Sequence, residues 1–276
     1  MMDRREFIQL SASAATLASS GLLPLLGAEK RRPGGRRRNR LAPVSGPRNI
    51  FTEPAAIEPI TGYLPRFIPA GDGSMKGPFA ATYSLIQMQG SQAKSRNRVS
   101  GSLKVSFADA ICTSSEIRTA RPANTVRNRV RCAGDLNLVK RWTLKSSVTG
   151  APDLGFTEIG SWDGKQMIVK SNSWTQTRAV SNRLIAQWAL PGLLAAGKFR
   201  DKPLQFDMLD NSTLRPDQTL SYSGRVEVPT AKGKIKLDCY AQTGRGILPI
   251  HYLVDTAGRV QLITHETVNW ALTKLS

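Results

Sequence analysis

The sequence predicts a mainly β protein: one large curved antiparallel sheet or half-barrel of eight or more strands, with a single main helix packed against it. Short segments separated by turn residues run through the chain from about residue 78, and only one stretch has helical spacing. The side chains of these segments alternate with a period of two. Ile235 and Leu237 fall on one face of their segment and Lys234 and Lys236 on the other. Such alternation indicates one buried face and one solvated face.

Three tight turns predict hairpins in the second half of the chain. Each turn contains a glycine and joins two alternating segments. The predicted strand pairs are residues 156–161 with 166–171, residues 219–228 with 235–242, and residues 247–254 with 259–267. The last two hairpins make the C-terminal third a four-stranded meander.

The predicted helix covers residues 181–190. Its apolar stripe consists of Leu184, Ile185, Trp188 and Ala189. Ser181 is placed to cap its first turn, and Pro191 interrupts the helix at its end.

The first 28 residues have the anatomy of a signal peptide. Arg4 and Arg5 precede Phe7, and an Ala/Ser/Leu-rich run from about residue 11 to 26 ends before a small residue, Ala28. Serines, Gly21 and other breaks leave the run short of the roughly 20 strongly apolar residues of a membrane span. The alternative is an ordinary frayed N-terminal helix.

The hexapeptide Asp-Arg-Arg-Glu-Phe-Ile at residues 3–8 resembles a bacterial twin-arginine signal. Its Arg-Arg-x-Phe core, formed by Arg4, Arg5 and Phe7, matches the usual pattern. The departures are Asp3, Ile8 and Gln9. The resemblance implies recognition by the twin-arginine export machinery and a signal peptidase. The protein would then be exported to a periplasmic or extracellular location, with possible envelope association.

Residues 29–77 form a basic and Pro-rich segment that the sequence predicts to be disordered, which leaves residues 78–276 as a single antiparallel β domain. The run at residues 30–40 combines Gly and Pro with cations that repel one another. It is either a linker that assists export or an electrostatic tether to an anionic surface.

The net charge of the whole chain is +19, and its basic leader accounts for only part of it. Nine cations and three anions lie in residues 1–40, so residues 41–276 retain a formal charge of +13. Such a charge favours anionic partners or surfaces.

The strip at residues 246–255, followed by Gly258, Arg259 and a closing strand, resembles segments of uncharacterised secreted bacterial proteins. These include β-rich domains similar to lipoprotein carriers or half-barrel clamps. The resemblance implies a sheet that holds a ligand, and it identifies no functional residue.

No catalytic, cofactor or metal constellation is recognisable, so the sequence predicts a non-catalytic protein without cofactor or metal. The only two histidines, His251 and His265, are not part of a close set of metal-ligating residues. The neighbouring acids Asp207, Asp210 and Asp217 have the wrong spacing for a calcium loop and are interpreted as solvated loop residues.

Cationic side chains alternate with apolar ones on two predicted strands. On the first, Lys94 shares its parity with three further cations, and on the second three arginines alternate with apolar residues. The predicted ligand-binding residues are Arg96, Arg98, Lys104, Arg127, Arg129 and Arg131. Two such rows form either a cationic face for phosphate, carboxylate or sulfate groups, or only the wet face of a basic sheet.

These observations predict an exported β domain that binds an anionic or acylated component of the cell envelope, a lipid or a polymer, through the cationic face or a pocket between sheet and helix. The alternatives are a basic nucleic-acid-binding protein and a hydrolase without a recognisable motif. Export removes a protein from cytoplasmic nucleic acid, so no nucleic-acid partner is expected.

The three cysteines lead to a separate prediction. A hairpin centred on Pro122 would place Cys112 opposite Cys132, near enough for a disulfide. A one-residue bulge at the turn would remove the match. Cys239 shares its parity with Ile235 and Leu237, and we expect it to be buried and reduced.

Overall fold

The computed structural model describes residues 55–89, 96–119, 122–197 and 199–276. The predicted signal, with Arg4, Arg5 and Phe7, and the basic run at residues 30–40 lie outside the described residues. No helix in the described ranges is long and apolar enough to cross a membrane.

The described residues form fifteen strands and one short α-helix. The strands are β1 Phe79–Gln89, β2 Arg96–Ala108, β3 Ile111–Arg118, β4 Asn124–Ala133, β5 Leu138–Val148, β6 Phe156–Trp162, β7 Gln166–Ser171, β8 Thr175–Ala179, β9 Leu184–Ala186, β10 Leu204–Asp210, β11 Thr213–Thr230, β12 Gly233–Gly244, β13 Ile250–Val254, β14 Val260–Thr264 and β15 Val268–Leu275. The helix α1 covers Leu190–Ala195, and 3₁₀ turns cover Glu58–Ile60, Leu64–Arg66, Pro152–Leu154 and Gln187–Ala189. The three predicted hairpins are confirmed.

The fold is mainly β, as predicted, but the sheet closes into a twelve-stranded barrel, so the predicted open sheet or half-barrel is wrong. One edge of β5 pairs with β4 along its length. On the other edge, Leu138 at the start of β5 bridges Ile185 of β9, while residues 141–146 pair with β6. Strands β6 to β8 therefore extend from the barrel wall. Only β9 and β10 run parallel among the described pairs.

The barrel interior is filled by one apolar core that α1 and the turn before it share with the strands. Trp188 meets Trp270 edge to face with ring centroids 5.2 Å apart, and Leu190 and Leu194 are buried in the same core as Tyr83. Burial of this kind provides the main stabilisation of the fold.

The predicted helix over residues 181–190 is wrong in its position. Residues 184–186 pair as β9, and the α-helix begins only at Leu190. Pro191 lies in its first turn, where the missing N–H has no helical partner to lose, so the proline starts the helix and does not end it.

Residues 55–70, here called the strap, cover the outside of the barrel. Four strap side chains are at most 1% exposed: Ile57, Ile60, Leu64 and Phe67. They form a second apolar cluster with outward-facing residues of β1 and β11 to β15, including Leu237 and Leu253. The packing of residues 55–70 on the barrel differs from the disorder predicted for residues 29–77. Residues 29–54 lie outside the described residues.

The strap also changes the interpretation of β12. Ile235 and Leu237 do share a buried face, but it is the outer face, under the strap. On the other parity, Tyr240 packs into the barrel core and Gln242 is fully buried. The middle of β12 is thus buried on both faces.

The predicted disulfide between Cys112 and Cys132 is contradicted by the register of β3 and β4. Cys112 faces Val130, while the backbone N–H of Cys132 donates to the carbonyl of Ala110 at 2.7 Å. All three cysteines are buried with free thiols, which confirms the expectation for Cys239. Burial raises the pKa of the Cys132 thiol to about 11.

Candidate anion-binding groove

The outer wall formed by β1 to β5 carries two rows of polar side chains that run across the strands. Residues directly opposite in an antiparallel pair point to the same face, so the register builds these rows. The first row is Thr82, Lys104, Ser115, Arg127 and Lys145. The second row is Ala80, Ser106, Thr113, Arg129 and Thr143.

These two rows line a groove of about 690 Å³. Four long cationic side chains, Lys104, Arg127, Arg129 and Lys145, are exposed there. Hydroxyl groups lie between them: the Oγ of Ser106 and the Oγ1 of Thr113 are hydrogen-bonded at 2.6 Å. The groove thus combines cations with hydroxyl donors and acceptors, which suits an oxyanion.

The inner side of the same wall is buried and mainly apolar, with the polar side chains of Ser114, Asn128 and Ser146 among the apolar ones. Trp142 on β5 is buried, and its Nε1 donates to the Oγ of Ser212 at 3.0 Å. Its indole ring packs directly on Gly160. A Cβ added to Gly160 would lie only 1.9 Å from a carbon of this ring. Trp142 and Gly160 are partners in the register of β5 and β6. This contact fixes β5, which carries Lys145, from within.

Like charges face each other directly on the outer side. Arg127 pairs with Lys145 and Arg131 pairs with Arg141 in the register of β4 and β5. Like charges in directly opposed positions destabilise a sheet. None of these four cations belongs to the ion pairs found in the described part of the chain.

The same barrel does pair its arginines elsewhere. Arg225 and Arg200 both reach the carboxylate of Asp238, at 3.0 and 3.3 Å. Arg259 bonds Asp255 at 2.7 Å. The four groove cations differ from these arginines, because none of them has an anionic partner among the ion pairs of the described residues.

The structure brings together only some of the predicted binding residues. Lys104, Arg127 and Arg129 line the groove, and Arg131 continues the same outer face one step along β4. Arg98 does not join them. Ser100 has no partner in the pairing of β1 with β2, so the residues of β2 before it change faces relative to those after it. Arg98 pairs with Gln87 and therefore falls on the face that continues the inner side of the barrel, not on the groove face. Arg96 pairs with Gln89, at the end of β2 away from the groove.

Sequence reasoning missed Lys145, Arg141 and the hydroxyl residues of the groove. The alternation of Arg141, Thr143 and Lys145 on β5 was a signal for an outer row. Their position beside β4 depends on the intervening turn, in which Gly134 and Asn137 adopt positive φ angles of 71° and 50°. That turn sets the register that places Lys145 beside Arg127.

The other candidate residues do not assemble a reactive site. Burial lowers the pKa of both His251 and His265. The described residues contain no group of three or more His, Cys, Asp or Glu that could hold a metal ion.

The interpretation of Asp207 as a solvated loop residue is wrong. It lies on β10 and is fully buried. Its carboxylate accepts hydrogen bonds from the N–H groups of Ser181, Asn182 and Asp217 and from the hydroxyl of Ser181, at 2.8 to 3.2 Å. Asp207 thus fixes the segment before β9 to β10, and it also bonds the backbone of β11.

Comparison of the chain with protein-family models and with curated proteins finds no match. Among solved structures, it is similar to a β-barrel-like protein of domain of unknown function DUF1849 from Brucella abortus. The identity is 12%, the match covers 73% of this chain and 98% of that chain, and the TM-score is 0.48.

Proposed function

We propose that the protein is a non-catalytic binding domain whose groove on β1 to β5 takes an anionic component of the cell envelope, a lipid headgroup or a polymer. One observation carries the proposal: four exposed cations line a single groove of about 690 Å³. In the described chain these cations have no ion pair, and Arg127 and Lys145 face each other directly. An oxyanion bound between them would replace this repulsion with charge-assisted hydrogen bonds.

The composition of the groove favours this ligand class over nucleic acid. Proteins that bind single-stranded nucleic acid stack its bases on aromatic rings. The groove is lined by Ala, Ser, Thr, Val, Asn, Lys and Arg side chains. Its small hydroxyl side chains suit a phosphate, a carboxylate or a polyol. The idea of a hydrolase has no comparable support from the arrangement of residues.

The proposal includes export by the twin-arginine route, which would bring the groove to the outer side of the membrane and to the polymers of the envelope. The support is the Arg-Arg-x-Phe core at Arg4, Arg5 and Phe7. Replacing Arg4 and Arg5 with lysine should leave uncleaved precursor in the cytoplasm, which fractionation and immunoblotting would detect. Normal processing of this variant would rule out the export assignment.

The groove itself is tested by reversing the charge of Arg127, Arg129 and Arg131 to glutamate in the full chain. Co-sedimentation with phosphatidylglycerol vesicles should fall at least tenfold relative to the unmodified protein. The matched control, Lys202→Glu with Lys232→Glu and Lys236→Glu, changes the net charge by the same amount at exposed positions away from the groove.

Both triple variants should remain folded and melt within a few degrees of the parent protein, the control slightly lower because Lys236 faces Glu227, and the arginine triple slightly higher because Arg127 and Arg131 face Lys145 and Arg141. Phosphatidylcholine vesicles should retain none of the three proteins. Equal retention of the two triple variants would mean that overall charge, and not the groove, is responsible for binding.

A further inference from the structure

We infer that the ligand of the groove is a linear polyol phosphodiester chain that lies along β4. This inference rests on the proposed function and specifies its ligand class. The proposed function depends on how many cations line the groove, whereas this inference depends on how they are spaced along β4.

Arg127, Arg129 and Arg131 are exposed and alternate with the buried residues Asn128 and Val130. They therefore point to one side of β4, and successive arginines lie about 7 Å apart, two residues along an extended strand. A single phosphate can contact only neighbouring members of such a row. A chain with a repeated anionic group can contact every one.

The neighbouring strand extends the row into a ladder. Lys145 faces Arg127 at one end, Arg141 faces Arg131 at the other, and Thr143 faces Arg129 between them. On the opposite side of β4, Ser115 and Thr113 face Arg127 and Arg129. The ladder thus has five cations, and hydroxyl groups lie next to Arg127 and Arg129.

The spacing of this ladder matches a particular backbone. In a poly(glycerol phosphate) chain, successive phosphorus atoms are separated by a fixed number of covalent bonds. The Cα atoms of residues i and i+2 in a strand are separated by the same number of bonds. Two extended chains with equal numbers of bonds per repeat can lie side by side with their repeats aligned. Each phosphate then meets one arginine of β4.

The groups between the phosphates also fit. A glycerol unit presents a hydroxyl group and phosphate-ester oxygens, to which Ser115, Thr113 and Thr143 can hydrogen-bond. Nucleotide units present bases instead, and these gain most of their affinity from aromatic stacking, which the side chains of the groove do not provide. A nucleotide backbone has the same number of bonds between successive phosphorus atoms, so the spacing alone does not separate the two ligands, and it is the chemistry of the groove that favours a polyol as the spacer.

The test measures binding of glycerol phosphate oligomers of one, two, four and eight units to the full chain by titration calorimetry. Affinity should rise on the order of 100-fold from one unit to four, because linked contacts raise the effective concentration, and then level off. The logarithm of the association constant should fall with the logarithm of salt concentration with a slope of about −2 for the longest chain, since three phosphates meet the three arginines of β4 and each contributes about −0.7.

The triple reversal of Arg127, Arg129 and Arg131 should abolish the length dependence and reduce the salt slope to about −1. The Lys202, Lys232 and Lys236 control triple should keep both. Length dependence that survives the arginine reversal would overturn the inference and assign the polymer to another basic segment of the chain.

Two further results separate this inference from the proposed function. Equal affinity for one unit and eight units, lost in the arginine triple, would refute a linear ligand while the groove remained an anion site. Tighter binding of oligothymidylate than of glycerol phosphate with the same number of phosphates would refute the polyol spacer. Failure of every anionic probe to bind would overturn both proposals.

Discussion

The outer surface of the barrel has two contrasting parts. On β11 to β14 the outward side chains include Val228, Leu237, Leu253 and Leu262, and the strap covers them so closely that all four are at most 1% exposed. On β2 to β5 the outward positions carry lysine, arginine, serine and threonine, and the cations among them are exposed.

The contrast separates residues that stabilise the fold from residues that do not. Burial of apolar surface under the strap contributes favourable free energy. The opposed cations of β4 and β5 contribute repulsion. We therefore expect mutations under the strap to lower stability and mutations on the cationic wall to lower binding.

The largest effect should come from Phe67→Ala in the strap. Phe67 is 1% exposed and packs against the outside of the barrel, so its truncation should lower the free energy of unfolding by about 3–5 kcal/mol. Urea denaturation measures the change. The neighbouring Ile68 is 57% exposed, and Ile68→Ala should change stability by no more than about 0.5 kcal/mol. Similar losses in the two variants would show that the strap is not packed as described.

The next effect concerns the inner side of the cationic wall. Gly160→Ala would place a methyl group on the indole of Trp142, which should lower stability by about 1–3 kcal/mol and change the tryptophan fluorescence. Gly71→Ala is the matched control, because nothing lies within 4 Å of its added Cβ. A Gly160 variant as stable as the Gly71 variant would mean that Trp142 is free to move.

A smaller loss of stability should appear at high pH, because the inner side of the cationic wall, like the surface under the strap, excludes water from a buried side chain. Burial raises the pKa of the Cys132 thiol from 9.0 to about 11. Its contribution to stability is therefore complete below pH 9 and is lost as the pH rises from 9 to 11, because the unfolded thiol ionises first.

Urea midpoints should fall across this pH range, and the fall should be smaller in Cys132→Ala. Alkylation at pH 8 provides a second measurement, since all three buried thiols should react only after denaturation. An equal pH dependence in both proteins would contradict a dry environment for Cys132.

The smallest effect is expected on the cationic wall itself. Arg131→Gln removes one member of the directly opposed pair with Arg141, so stability should stay the same or rise by up to about 0.5 kcal/mol. The same urea titration measures it. A loss of more than about 1 kcal/mol would show that Arg131 supports the fold, contrary to the contrast between the two surfaces.

Local patterns in the sequence were sufficient for the three predicted hairpins and for part of the groove. The alternation of Arg127, Arg129 and Arg131 with Val126 and Val130 predicted one exposed and one buried face of β4, and the turn at Asp163 and Gly164 predicted the hairpin of β6 and β7. These features depend on residues that are close in the chain.

The errors arose where the register or the pairing between strands decides the structure. A single unpaired residue, Ser100, moves Arg98 off the groove face, and the β3–β4 register separates Cys112 from Cys132. Barrel closure depends on a bridge between Leu138 and Ile185, which are 47 positions apart in the sequence. Such long-range pairings leave no periodic signal in a single sequence.

The central claim is that the wall built from β1 to β5, and no other surface of the barrel, meets the anionic ligand. Lysine acylation footprinting tests it most directly, because lysines lie on the groove and far from it. When phosphatidylglycerol vesicles are added, labelling of Lys104 and Lys145 should fall severalfold while labelling of Lys202, Lys232 and Lys236 stays constant. Uniform protection of all five lysines, or protection of Lys30 alone, would contradict the account.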